Sequence, residues 1–98
     1  MHAVINTLRF KDSVDQKLFV RAEHELADQM RGIEGFQGFR VVQVSEDQVV
    51  LVIFADAAEV LDRMASELGN GWMGANVAPF LDGPPDRRIG PVIASVGV

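Results

Sequence analysis

Val49-Val50-Leu51-Val52-Ile53-Phe54-Ala55 is apolar at every position. The run is short, rich in valine and flanked by polar turn residues, so it reads as a strand. Alternate side chains of a strand point to opposite faces, so a strand with no polar position has two faces to bury. Upstream, Ser45-Glu46-Asp47-Gln48 is a polar turn, and Phe36 to Val44 forms the other arm of a hairpin. Downstream, Asp56 and Glu59 have capping-box spacing, with Asp in place of Ser or Thr. They open a helix whose apolar stripe is Val60, Leu61, Met64 and Leu68, and which ends at Gly69-Asn70-Gly71. Asn70 is a helix C-terminal residue of the kind that tolerates the left-handed conformation. Before the hairpin, Gly32 and Gly35 stop an earlier helix. Its Val14, Leu18, Phe19, Ala22, Leu26 and Met30 are spaced by three and four, and Asp12 or Ser13 stands ready to cap it. Lys17, Arg21, Glu25, Asp28 and Gln29 form its solvated side. Ala3 to Phe10 is a first strand, with Val4, Asn6, Leu8 and Phe10 on one face and Ala3, Ile5, Thr7 and Arg9 on the other. Residues 72–88 are irregular apart from a short helix around Met73 to Val77, and Ile89 to Val96 is a last strand.

The order β-α-β-β-α-β predicts a ferredoxin-like α+β fold: a four-stranded antiparallel sheet with two helices on one face. In this topology the first and third strands are central. The fourth is an edge, where Pro91 is tolerated. The 98 residues make one domain spanning 1–98. Two helices cover one sheet face only, yet Val49–Ala55 is apolar on both, and Pro91-Val92-Ile93-Ala94 is nearly as uniform. A second copy of the chain, packed through the open sheet face as a homodimer, is the simplest cover.

Composition removes several functions. A hydrophobic content of 48% argues for a packed domain rather than disorder. The net charge of −5 argues against nucleic acid and against an anionic membrane surface. The chain has no cysteine, which excludes disulfides, iron–sulfur clusters, thiolate zinc and a cysteine nucleophile. No apolar run approaches the roughly 20 residues of a membrane helix. The N-terminus reads as a strand rather than a signal peptide, so the cytoplasm is the expected compartment. Gly69-Asn70-Gly71-Trp72-Met73-Gly74 matches G-x-G-x-x-G but follows a helix instead of a strand, so it is no dinucleotide site. His24-Glu25 is not HExxH, because position 28 is Asp. Two separated histidines make neither a metal cluster nor a serine triad.

Ile33-Glu34-Gly35-Phe36-Gln37-Gly38-Phe39 is similar to the helix-to-strand "PGF-x-GF" turn of the antibiotic-biosynthesis monooxygenase superfamily, with Glu34 where proline is usual. Val4-Ile5-Asn6, the apolar third strand and the acidic turn into the second helix extend the resemblance over most of the chain, least over residues 69–88. The resemblance implies a dimeric α+β barrel. It also implies one of several activities: cofactor-independent oxygenation of polycyclic aromatic substrates, haem degradation, or none known.

The candidate site residues follow from both readings. Asn6 lies on the face that meets the helices, where a buried amide without partners costs about 1–3 kcal/mol. It either bonds a backbone group or, as an asparagine does in the relatives, faces a pocket. Trp72, the only tryptophan, either stacks on an aromatic ligand or closes the end of the core. These two are the catalytic candidates. Asn76, Arg87, Met64 and Met73 are candidates for binding substrate, with Arg87 aimed at an anionic oxygen and the methionines forming a pliable wall or core filling. Haem is disfavoured: aligning on Asn70-Gly71 puts Val77 or a neighbour where haem-degrading relatives place a histidine, and the chain has neither Cys nor Tyr. The expectation is a cofactor-independent monooxygenase of a planar aromatic molecule. The alternative is a non-catalytic homodimeric small-ligand-binding module. A pocket of several hundred Å3 between helices and sheet, lined by Asn6 and Trp72, would favour the first; a filled interior would favour the second.

Overall fold

The computed structural model describes residues 1–97. Four strands, β1 (His2–Arg9), β2 (Phe36–Gln43), β3 (Gln48–Ala55) and β4 (Asp86–Pro91), form one antiparallel sheet in the order β2-β3-β1-β4. The helices are α1 (Gln16–Glu25), α2 (Ala27–Arg31), α3 (Ala58–Asn70) and α4 (Trp72–Asn76), followed by a 3-10 turn at Ala78–Phe80. The expected ferredoxin-like arrangement is present, with β1 and β3 central.

The first helix starts later than expected. Ser13 is spent on Glu46, and the Val14 amide bonds the Glu46 carbonyl, which draws residues 13–14 to the β2–β3 turn. Asp15 is therefore the cap, its carboxylate accepting from the Lys17 amide at 3.0 Å. The helix is divided at Leu26, but the bonds Leu26 N–H to Ala22 O and Met30 N–H to Leu26 O carry the apolar stripe across the break. The Asp56–Glu59 capping box does not form. Ala57 occupies the cap position without a side-chain bond, and the Asp56 carboxylate instead accepts from the Gln37 side chain. Asn70 is the last helical residue of α3, and it is not left-handed: no non-glycine residue among those described has positive φ.

The glycine–phenylalanine turn has a specific task. Gly35 has φ +93°, and its carbonyl accepts from the Asp56 amide at 2.8 Å. The β2–β3 register then shifts between Phe36 and Gly38: Phe36 pairs with Ala55, Gly38 with Phe54 and Phe39 with Ile53. One extra residue reverses the alternation. Phe36 and Phe39, three apart, therefore share the helix-facing side with Ala55 and Ile53.

Two core clusters lie between sheet and helices. One joins Val4, Ile53 and Ala55 to Met30, Leu61 and Met64; the other joins Leu8, Phe10 and Val49 to Val77 and Leu81. The opposite face carries Ile5, Val42, Val50, Val52 and Phe54, of which Ile5 and Val42 are exposed. The expected last strand is corrected. It runs from Asp86 to Pro91, pairing only with β1, and Ile93 and Val96 are 94% and 96% exposed. The apolar run Pro91–Ala94 has strand composition but finds ladder partners only up to Pro91, so the argument for a two-faced sheet rests on β3 and its neighbours.

Candidate functional site

The space between helices and sheet is filled. It holds a void of about 20 Å3 walled by apolar side chains that include Met30, Phe39, Leu68 and Met73. Neither Asn6 nor Trp72 lines it. Two larger clefts lie to either side of α1.

The first, about 650 Å3, runs between α1 and the edge strand β2. The bulge supplies Phe36 and Phe39 to one wall, and α1 supplies Phe19 and Val20 to the other. Gln16 donates to Gln43 at 2.8 Å, a strap from the helix to the strand. Glu23, Arg31 and Arg40 are its charged lining. Arg31 lies 3.8 Å from Asp28, and Arg40 donates to the Phe39 carbonyl. Glu23 forms no ion pair or hydrogen bond with another described residue. Phe19, Phe39 and Val41 wall both this cleft and the interior void.

The second, about 470 Å3, lies between the start of α1, α4 and the 3-10 turn. A ring of polar contacts borders it. The Trp72 indole N–H donates to Glu25 at 3.0 Å, Glu25 pairs with Arg21 at 3.4 Å, Arg21 donates to the Asn76 Oδ1, and Asn76 Nδ2 donates to the Trp72 carbonyl. Trp72 and Asn76 are thus brought together, but by fastening α4 to α1.

The remaining candidates sit elsewhere. Asn6 is half-buried on the helix side of β1, opposite Leu51 and Arg87, and its amide has no hydrogen-bond partner among the described residues. Arg87 pairs with Asp62 of α3 at 3.0 Å, tying the edge strand to the helix. Met64 is fully buried in the core and lines none of these three cavities; Met73 lines only the interior void. Met64 is core filling, while Met73, half-buried, packs against both core clusters.

No histidine, cysteine or tyrosine lines the interior void or either cleft. The interior void is far smaller than the roughly 300 Å3 at which ligand pockets begin. Val77 is fully buried, and the α1–β2 cleft is lined by no histidine, methionine, cysteine or tyrosine. His24 is exposed on α1, and His2, at the start of β1, has a buried Nδ1 with no hydrogen-bond partner among the described residues. No three His, Cys, Asp or Glu side chains group as metal ligands among the described residues. No helix among the described residues is long and apolar enough to cross a membrane.

No family model and no curated protein matches the chain. Solved structures do. The monooxygenase from ActVA-Orf6 of Streptomyces coelicolor, in complex with nanaomycin D, superposes with a TM-score of 0.73 at 16% identity, over 97% of this chain and 89% of that one. SnoaB, a cofactor-independent oxygenase from Streptomyces nogalater, gives 0.73 at 8% identity, over 99% and 97%. A MhuD variant with two manganese protoporphyrin IX molecules per active site gives 0.74 at 19%, over the whole of both chains. The chain shares the ferredoxin-like α+β fold of these proteins. At these identities the likeness is one of fold, and that fold is shared by proteins with and without a bound porphyrin.

Within this fold, sequence reasoning missed the α1–β2 cleft and the polar ring. Phe19 was legible as a stripe residue, but strict alternation puts Phe36 and Phe39 on opposite faces. The signal that could have found the cleft was Gly38, since a glycine within a strand pattern marks a bulge. Arg21 and Glu25 read as ordinary solvated helix residues, Glu23 carries no signal in the sequence, and only the fold shows what each one faces.

Proposed function

We propose that the protein is a cofactor-independent oxygenase of a planar, electron-rich aromatic molecule, acting at the α1–β2 cleft. The observation that carries this reading is the aromatic lining of a cleft of about 650 Å3, with the Glu23 carboxylate and the Arg31 guanidinium on the same walls. Phe19, Phe36 and Phe39 offer ring faces and edges to a flat ligand. Glu23 takes a proton from an acidic C–H or O–H of the substrate. Arg31 stabilises the resulting oxyanion. The carbanion form adds dioxygen, takes its proton back as a hydroperoxide and loses water, so that CH2 plus O2 becomes C=O plus H2O. The substrate supplies all the electrons. The porphyrin-free reading follows SnoaB, a cofactor-independent oxygenase, and the lack of histidine, cysteine and tyrosine in the lining of the three cavities. Asn6 and Trp72 line neither this cleft nor the interior void and are the alternative site.

Oxygen uptake on a panel of anthrones and quinols tests this reading. Glu23→Gln is expected to lower the rate by about 10²–10⁴-fold with binding retained, and Phe39→Ala to weaken binding about tenfold. If Asn6→Ala and Trp72→Phe abolish uptake while Glu23→Gln leaves it intact, the chemistry lies in the interior instead. Ligand binding without uptake by any panel member would make the protein a binding module.

The working unit of this reading is a homodimer joined through the open sheet face, where Ile5, Val42, Val50, Val52 and Phe54 form a continuous apolar surface. Light scattering after size exclusion is expected to give twice the 10.7 kDa chain mass. Val52→Glu, at the centre of that face, is expected to return the single-chain mass. A wild-type monomer at micromolar concentration defeats the dimer.

A further inference from the structure

We propose that the cleft between α1, α4 and the 3-10 turn is a second binding site, specific for a small amphipathic carboxylate: an apolar ring or branched chain carrying one carboxyl group. Although the chain carries a net charge of −5, three of its nine Lys and Arg residues, Lys11, Lys17 and Arg21, line this one cleft. Two carboxylates also line it, but they are not equivalent. Asp15 is engaged as the α1 cap, while Asp12 is open. Arg21 is shared with Glu25. Lys11 and Lys17 have no ion-pair partner among the described residues, and the lining as a whole carries three cations against two carboxylates. That balance suits a single negative charge and disfavours a cation.

The apolar half of the site is equally specific. Phe80 is 59% exposed, and with Leu18 and Pro79 it forms a surface that water wets poorly, directly beside the cations. The walls are held in advance. The Lys11 amide bonds the Phe80 carbonyl at 3.0 Å, and Phe10 bridges to Leu81, so the loop after β1 and the 3-10 turn move as one piece. Asn76 and Arg21 are fixed by the polar ring, with each other as partners. A ligand that finds its polar contacts already ordered loses less in binding. In the bound state the ring or chain covers Phe80 and Leu18, and the carboxylate lies between Lys17 and Lys11 within reach of Arg21. This site shares no lining residue with the α1–β2 cleft and does not depend on oxygenase activity there.

The protein carries its own reporter, because Trp72 is its only tryptophan and belongs to the ring that borders the site. Titration with 3-phenylpropionate is expected to shift Trp72 fluorescence saturably, with calorimetry giving the same Kd. Lys17→Met is expected to weaken it about tenfold and Phe80→Ala by a similar factor, with Phe39→Ala leaving it unchanged. 3-Phenylpropanamide, isosteric but neutral, is expected to bind at least tenfold more weakly. Equal binding of acid and amide overturns the carboxylate specificity. Loss of binding in Phe39→Ala but not in Lys17→Met places the ligand in the other cleft and overturns the site.

Discussion

Gly35→Ala is expected to destabilise the fold by about 2–4 kcal/mol, among the larger effects of any single methyl group added to this chain. Two costs add. A side chain at φ +93° stands in the left-handed region, at about 1–2 kcal/mol. The new Cβ would also lie 2.9 Å from Val60 Cγ2 on α3, an overlap that forces packing to shift at about 1–3 kcal/mol. Gly38 makes the control, since its φ is +147° but a Cβ there meets nothing within 4 Å. Gly38→Ala should therefore cost only the conformational part, about 1–2 kcal/mol. Chemical denaturation of the two variants separates the contributions, and the double variant Gly35→Ala/Val60→Ala should be about 1 kcal/mol less destabilised than the sum of its single changes. Equal losses for Gly35→Ala and Gly38→Ala would remove the Val60 contact from the explanation.

Met64→Ala is expected to cost about 2–5 kcal/mol. Met64 is wholly buried, one turn from Leu61 and Leu68 on α3, over Val4 and Ile53 of the central strands. Its removal opens a space next to an interior that is otherwise full, and apolar cavities of this kind stay dry and accept small apolar guests. Saturation with benzene should restore part of the lost thermal stability, while the affinity of an aromatic ligand for the α1–β2 cleft stays within about twofold of wild type. Loss of that affinity in folded Met64→Ala protein would instead return Met64 to the ligand pocket suggested by the family resemblance.

The two glycines and the methionine also show what could be read from the chain alone. Helix stripes and strand alternation are local, so Val14 to Met30, Val60 to Leu68 and both central strands were legible, and with them the sheet order. The end of β4 was not. Val92 to Val96 has the composition of a strand, and only the absence of a pairing edge tells it from one. The interior cavity was not legible either, because whether Asn6 faces a pocket depends on how far Met30, Leu68 and Met73 reach from other elements. Lys11, Lys17 and Asn76 meet only because the loop after β1 and the segment after α3 reach the same end of the sheet. Neither segment shows this by its own pattern.

The inserted residue in β2 makes the strand a matter of counting. Remove Gln37, or add a residue beside it, and every side chain from Gly38 to Gln43 changes sides. Arg40 and Val42 would then turn toward the helices, while Phe39 and Val41 would leave the ligand cleft for the apolar face across the sheet. A substitution anywhere in this strand alters one wall of the molecule. A single-codon deletion at position 37 would exchange both, altering the α1–β2 cleft and the apolar sheet face in one step. In comparisons of homologous chains, a gap at this point therefore separates proteins with different working surfaces, however similar their letters on either side.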